Sequence, residues 1–358
     1  MKRIVIFAYT LDMGGAEKVL IDYLNVLKNQ YKIDLVLIKK QGELLGDVPP
    51  NINVIQLRNN IFEYILFRYI SIYRKFKINK IAKKNKYDIA IGFIEGRSAT
   101  WVADIKCDIK RIAWIHNDVN SFDIGISERE IIKSYLKMDK IITVSEQSKT
   151  NFCNKYNINK SKIEVLYNLI DEKKILELCE QEVEKNNKFT FINVGRMRPQ
   201  KRQDRLIEIA KRLKQDGYNF KIQILGNGSE EEKIRKLIKE KDVEDVIELK
   251  GLVQNPYPYI KQANCVVVSS DFEGYSIAIK EALLLKKIII STDVSGVREI
   301  FEDNKFGIIS EKSTDDLENK MRQILDNKID IERIKNNLEK FNCGNDEIIN
   351  RLIKIIEE

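Results

Sequence analysis

Long apolar runs, closely spaced cysteines and a D-x-D pair are all missing from this chain of 358 residues. The best candidate for a membrane span, residues 61–73, covers 13 residues and contains Glu63 and Arg68, short of the ~20 that a bilayer core requires. The start, MKRIVIFAYT, is basic, but its apolar run is too short for a secretory leader and carries no small-residue cleavage site. Five cysteines (Cys107, Cys153, Cys179, Cys265 and Cys343) are scattered, odd in number and free of C-x-x-C spacing. They fit a reducing compartment better than a disulfide framework or a zinc site. The expectation is a soluble cytoplasmic protein, long enough for about two domains.

Charge is present but unevenly placed. Residues 1–170 hold 28 Lys and Arg against 18 Asp and Glu, while the remainder holds 34 against 36, so the net charge of +8 comes from the first half. It is densest in FRYISIYRKFKINKIAKKNKY, residues 67–87, with eight bases and no acid. Aromatics beside lysines on a helix predict adsorption to an anionic membrane surface, here the inner face of the plasma membrane. A solvated basic helix face is the competing reading. Nucleic acid is not expected as a partner, because no recognised binding motif accompanies the charge.

Two successive α/β patterns occupy the chain. The first runs RIVIFAY, then TLDMGG, then a helical period with apolar residues at 16, 19, 20, 23, 24 and 27, then KIDLVLIK. Strands are predicted further on at YDIAIGF, RIAWIH, KIITVS and KIEVLY. A second pattern begins at FTFINVGR and continues through a helix over 203–214, FKIQILG, a helix over 230–240, VIELKG, NCVVVSS, a helix from 276, KIIIST and GIIS. YNLIDEKK is the best linker. The division is therefore 1–168, 169–340 and a closing helical segment 341–358. Strand–helix alternation predicts parallel sheets, and two doubly wound sheets facing across a cleft bring their strand ends to a ligand.

Most of the legible chemistry lies in the second half. In SSDFEGYSIAIKEALLL a buried strand leads to Glu273, then Gly274, which permits a tight turn, then Ser276, a residue type that caps helices. The amides around Gly274, Tyr275, Ser276 and Ile277 suit a phosphate. Glu281 lies about one turn into a helix apolar almost all round, where a carboxylate is costly unless its lone pairs are used. A ribose cis-diol uses both oxygens, and Glu273 reaches hydroxyls beyond the phosphates. The plainer alternative turns Glu281 to solvent and leaves Glu273 on a turn. NVGRMRPQKRQDRL places Arg196 and Lys201 after a strand end, a cation pair matched to a diphosphate; Arg198 and Arg202 compete for that role. In LKGLVQNPYPYIKQAN the backbone of Leu252 and Val253 is placed to read a base edge. LGNGSEE is a further glycine loop that says little alone.

Taken in order, VGRMRPQKRQDRLIEIAKRL, LGNGSEEEKI, LVQNPYPYIKQAN, SSDFEGYSIAIKEALLLKK and STDVSGVREI resemble the signatures of glycosyltransferase family four, the retaining GT-B sugar transferases. The resemblance implies a donor-binding C-terminal domain, an acceptor-binding N-terminal domain and a final helix that crosses back. It assigns Arg196 and Lys201 to the donor diphosphate, Glu281 to the ribose and Glu273 to the donor sugar. Tyr275-Ser276 departs from the Leu/Phe-Pro of many members, which touches the donor-sugar contacts nearby. Metal-dependent sugar transferases of the other major fold use D-x-D to hold the diphosphate. Here Arg196, Lys201 and helix N-termini stand in its place, so neither a metal nor another cofactor is expected.

The first half adds three loops. Gly14 and Gly15 lie at a strand-to-helix turn where bare backbone approaches a phosphate or sugar, although a glycine pair equally serves tight packing. The pair resembles the family's GGAE loop beside the donor phosphate and acceptor, and it lacks the G-x-G-x-x-G spacing of a dehydrogenase. His116, the one histidine, follows a buried strand in RIAWIHNDVN; lone histidines are more often structural. The resemblance makes it the active-site histidine that contacts the transferred sugar, with Asp118 orienting the ring or touching the acceptor. Glu95 in FIEGRSA and Ser145 in VSEQSK end strands and are further acceptor-side candidates. The combined expectation is a retaining transferase moving a sugar from a nucleotide diphosphate sugar, UDP-linked, to a lipid-linked glycan acceptor in capsule or other surface-polysaccharide synthesis. A GT-B nucleotide-sugar epimerase or phosphorylase, or a non-catalytic assembly subunit, are the alternatives.

Overall fold

Runs such as IAIGF, CVVV and IIIST do not alternate between apolar and polar residues, which is the pattern of strands covered on both faces. In the computed structural model, which describes residues 1–58, 71–120 and 126–358, they form the interior of two parallel sheets. The first contains β1 (Arg3–Ala8), β2 (Lys32–Leu37), β3 (Asn53–Gln56), β4 (Ile89–Phe93), β5 (Lys110–Ile115), β6 (Lys140–Thr143) and β7 (Ile163–Val165), in the order β3-β2-β1-β4-β5-β6-β7. The second contains β8 (Phe189–Val194), β9 (Phe220–Leu225), β10 (Ile247–Gly251), β11 (Cys265–Val268), β12 (Ile288–Thr292) and β13 (Ile308–Ser310), in the order β10-β9-β8-β11-β12-β13. Both are Rossmann-like, and the fold is α/β. Strand order reverses between β1 and β4 in one sheet and between β8 and β11 in the other, and ligands gather at such switch points.

The chain divides into residues 1–169 with 344–358, and residues 170–343. The last helix, Asn345–Glu357, belongs to the first unit. It buries Ile348, Leu352, Ile355 and Ile356, an i, i+4, i+7, i+8 stripe. Polar ties also join it: Lys2 Nζ to Glu357 at 2.7 Å, Tyr31 hydroxyl to Glu357 at 2.7 Å and Arg351 to Glu164 at 3.3 Å. Each buried aliphatic side chain contributes about 1.5–3 kcal/mol, against roughly 0–1 kcal/mol for an exposed ion pair, so the apolar stripe does most of the holding.

Some elements differ from the sequence expectation. Strand β3, NVIQ, is a short edge strand paired only to β2, and its two apolar residues are too few to register as a run. The helix Glu172–Leu178 begins inside the segment read as linker, started by Asp171, whose carboxylate accepts from the Lys174 amide. The helices Thr314–Leu325 and Ile331–Leu338 carry the same kind of signal, Ser313 and Asp330 as capping residues. Within the basic stretch 67–87, residues 67–70 lie outside the described residues, and Ser71–Asn85 is helical. Among the described residues no helix is long and apolar enough to cross a membrane. All five cysteines are unbonded.

Candidate active site

In the second unit the loops after β8 and β11 meet at the switch point. Asp271 N donates to Gln200 O at 2.8 Å, and the Ser269 hydroxyl donates to Lys201 O at 2.7 Å. These bonds bring Lys201 Nζ to 2.5 Å from Glu273 Oε1, which also accepts from the Ser270 hydroxyl at 2.7 Å. The Lys201 stem lies over Gly195, within 3.7 Å of where a Cβ would stand. An ammonium has three donors, and Glu273 takes one, leaving it aimed for other oxygens. Arg196 is half-buried one residue beyond Gly195, its carbonyl met by Gln203 Nε2 at 3.4 Å. Arg202 leaves the competition: its guanidinium is held by Asp204 at 3.0 Å and Asp271 at 3.1 Å, and the Asp204 hydrogen bonds push its pKa up. Arg198 is exposed.

The loop LGNG has a definite task here. A Cβ on Gly226, at φ +135°, would fall 2.1 Å from Gly195 O, and one on Gly228, at φ +155°, would fall 2.3 Å from Met197 O. Backbone bonds Met197 N to Asn227 O at 2.7 Å and Glu230 N to Met197 O at 3.0 Å complete the contact. Only glycine permits that approach, so LGNG buttresses the loop carrying Arg196.

Ser276 precedes the helix Ile277–Leu284, but its hydroxyl makes no capping bond. The first-turn amides, which by helix geometry have no intrahelical acceptor, are therefore not capped by that side chain. Gly274 and Ser276 are buried and Tyr275 half-buried. Glu281 does not turn to solvent: it is 3% exposed, and its Oε1 accepts from the Tyr257 hydroxyl at 3.0 Å. Leu252 is exposed and Val253 half-exposed beyond β10. Two residues of this region carry positions that the sequence left unassigned. Tyr257, though within the quoted NPYPYI, is a buried partner of Glu281. Arg205, 5% exposed, donates to Ser269 O and Lys312 O, each at 2.8 Å, and pairs with Asp271 at 2.7 Å. A cation in the apolar-periodic helix Gln203–Gln215 was the available signal.

In the first unit the loops after β1, β4, β5 and β6 carry the predicted residues. Gly14 takes an extended backbone (φ −152°) before the helix Gly15–Leu27, and Gly15 is exposed. His116 follows β5, against Phe93 at 4.4 Å and stacked on Trp114 at 5.7 Å. It is 6% exposed, and burial alone drives its pKa down to about 3. Among the described residues neither ring nitrogen has a hydrogen-bond partner. A neutral imidazole with two buried, unsatisfied nitrogens requires an explanation, and an incoming ligand is one.

Glu95 shapes this histidine loop from behind. Its Oε2 accepts from His116 N at 2.9 Å and its Oε1 from Asn117 Nδ2. The preceding Ile94 sits at φ +106°, a conformation foreign to a β-branched residue and typical of strain held at functional sites. Tyr9 hydroxyl accepts from Arg97 N at 2.9 Å and Tyr135 hydroxyl from Gly96 N at 3.4 Å; burial pushes the Tyr9 phenol up to about 12. Among the described residues Asp118 makes no hydrogen bond to the imidazole. Its two oxygens accept from Asn120 N at 3.0 Å and Asn151 Nδ2 at 2.8 Å. Ser145 is fully buried and caps the helix Glu146–Tyr156, accepting from Ser148 N at 3.0 Å.

Comparison with known proteins is consistent with this layout. Residues 13–174 match the Glycosyltransferase Family 4 model, and residues 175–341 match that of Glycosyl transferases group 1. The chain is 28% identical over 353 residues to the N-acetylgalactosamine-N,N'-diacetylbacillosaminyl-diphospho-undecaprenol 4-alpha-N-acetylgalactosaminyltransferase of Campylobacter jejuni, covering 94% of this chain and 92% of that protein. It is 30% identical over 256 residues to an uncharacterized glycosyltransferase of Methanocaldococcus jannaschii, covering 66% and 63%. The crystal structure of Anabaena HepE in complex with UDP superposes with a TM-score of 0.79 at 16% identity, over 100% of both chains. The fold is GT-B. With a Glycosyltransferase Family 4 domain followed by a Glycosyl transferases group 1 domain, together spanning residues 13–341, this chain belongs to the glycosyltransferases built from that pair of domains.

Proposed function

We propose that the protein is a retaining, metal-independent glycosyltransferase that moves a sugar from a UDP-linked donor to a glycan acceptor carried on lipid, in surface-polysaccharide or glycoconjugate synthesis. The observation that carries this reading is the meeting of Lys201 with Glu273 at 2.5 Å at the β8/β11 switch point, just ahead of the helix that carries the buried Glu281 one turn in. Lys201, Arg196 and the amides at the start of Ile277–Leu284 stabilise the donor diphosphate. Glu281, fixed by Tyr257, takes the ribose hydroxyls, and Glu273 takes hydroxyls of the sugar. Leu252 and Val253 offer backbone to the base. In the first unit, Gly14, Gly15 and the neutral His116 serve the transferred sugar and acceptor, with Glu95 setting the histidine loop.

The chemistry follows from that distribution of charge. The bond from the anomeric carbon to the diphosphate oxygen breaks, and the acceptor oxygen bonds to that carbon on the same face. The acceptor proton passes to the departing phosphate, giving UDP. Oriented cations and amides stabilise the developing diphosphate charge without reorganising, which is the work a metal performs elsewhere. UDP in the complex with Anabaena HepE and the diphospho-undecaprenol substrate in the Campylobacter relative's name support the donor and acceptor classes. A lipid carrier places the reaction at the cytoplasmic membrane surface.

A thermal-shift screen of UDP- and GDP-sugars with EDTA present, followed by NMR of the product formed on a diphosphate-linked glycan lipid, tests the reading. Stabilisation by a UDP-sugar and a product with the donor's anomeric configuration are expected. Conversion of the donor without acceptor would instead indicate an epimerase, and absence of any shift would overturn nucleotide-sugar binding.

A further inference from the structure

The helix Ser71–Asn85 contains no acidic residue, and the structure divides its side chains sharply. Arg74 is not part of any basic surface. It is buried, with its guanidinium 3.1 Å from Asp104 and 3.4 Å from Glu130. Ile78 and Ala82 are buried on the same side, and Asn79 is bonded through Nδ2 to Asp104 O at 2.9 Å and through Oδ1 to Lys106 N at 2.8 Å. These contacts fix the rotation of the helix. What then faces outward is a single stripe: Ile72, Lys75, Phe76, Lys80, Lys83 and Lys84, spaced three and four apart as one helix face requires.

Two members of that stripe are unusual. Ile72 is 78% exposed and Phe76 is 65% exposed, one turn apart and followed by lysines alone. An apolar pair leading a row of ammonium groups matches the boundary of an anionic bilayer, where the rings and alkyl chains enter the acyl region and the lysine heads stay with the phosphates. Ion pairs do not consume the row: among the described residues Lys80, Lys83 and Lys84 have none, and Lys75 reaches Asp104 only at 3.6 Å.

We propose that Ile72 and Phe76 form a wedge that inserts into an anionic lipid surface, with Lys75, Lys80, Lys83 and Lys84 as its electrostatic seat. This rests on the reading of a lipid-carried acceptor for its purpose, but not for its test. The seat carries no headgroup specificity beyond negative charge, since four flexible ammonium groups on one helix face form no enclosed site.

Co-sedimentation of the full chain with vesicles of 30% phosphatidylglycerol in phosphatidylcholine, against pure phosphatidylcholine and without acceptor, is the experiment. Binding to the anionic vesicles alone is expected, reduced about tenfold or more by Ile72→Ser with Phe76→Ser. A comparable loss is expected from the four Lys→Ser changes, or from raising salt. Each variant keeps the UDP-induced thermal shift of the wild type. No wild-type binding, equal binding to neutral vesicles, or unchanged partition of either variant would overturn the proposal. Loss of the UDP shift in the wild type would overturn the donor reading and leave the vesicle result standing.

Discussion

Lys201 and Glu273, 72 positions apart in sequence, form an ion pair at 2.5 Å in which the carboxylate aims the ammonium. Replacing Lys201 by Ala removes one oriented cation from the departing diphosphate. Turnover of a UDP-sugar is expected to fall about 10²–10³-fold, equivalent to roughly 3–4 kcal/mol, with the fold intact by circular dichroism. Glu273→Gln is expected to weaken UDP-sugar binding more than UDP binding, because it touches the sugar directly and the diphosphate only through Lys201, read by titration calorimetry with both ligands.

The Tyr257 hydroxyl reaches Glu281 at 3.0 Å inside the second unit. Hydrogen bonds to charged groups contribute about 1.5–3 kcal/mol. Tyr257→Phe is therefore expected to raise the donor KM by about tenfold or more with little change in kcat, because the bond fixes a group used in binding before reaction. A fall in kcat at constant KM would contradict this positioning role.

His116 sets a pH dependence that is simple to isolate, since no other histidine exists. Its folded pKa is driven down to about 3 by burial, below the ~6.5 of an exposed imidazole. The unfolded chain therefore binds the extra proton between those values. The contribution is fully present above pH 6.5 and is lost as pH falls toward 3, at about 1.4 kcal/mol per pH unit. Urea unfolding at pH 6.5 and 5.2 should show this loss in the wild type and not in His116→Gln.

Gly226 cannot accept a side chain without displacing Gly195 O, 2.1 Å from the added Cβ. Gly226→Ala is expected to cost about 1–3 kcal/mol from strain at its positive φ and to weaken UDP binding as well, since the displaced backbone leads into Arg196. Chemical denaturation and calorimetry on the same variant would show both effects. Loss of stability with unaltered UDP affinity would show that the buttress does not reach the site.

Much of the architecture was legible because parallel strands buried on both faces announce themselves as unbroken apolar runs, as at CVVV and IIIST. NVIQ was missed for the opposite reason, being half-buried at a sheet edge. Glu281 was legible as a carboxylate out of place in an apolar helix. Its partner Tyr257 was not, because the 24-residue separation is closed only by tertiary packing. The same holds for Glu95, whose place behind His116 depends on the neighbouring positions of β4 and β5. Arg202 and Arg196 look equivalent in sequence, and only Asp204 and Asp271 distinguish them.

The most direct measurement is UDP-induced thermal stabilisation of the wild type compared with Glu281→Ala. At a ligand concentration of about 100 Kd the wild type should gain about 2.7 kcal/mol, and the variant should gain almost nothing at that concentration. Equal stabilisation of the two proteins, or none in either, would contradict the claim that the second unit holds a nucleotide diphosphate by its ribose and phosphates.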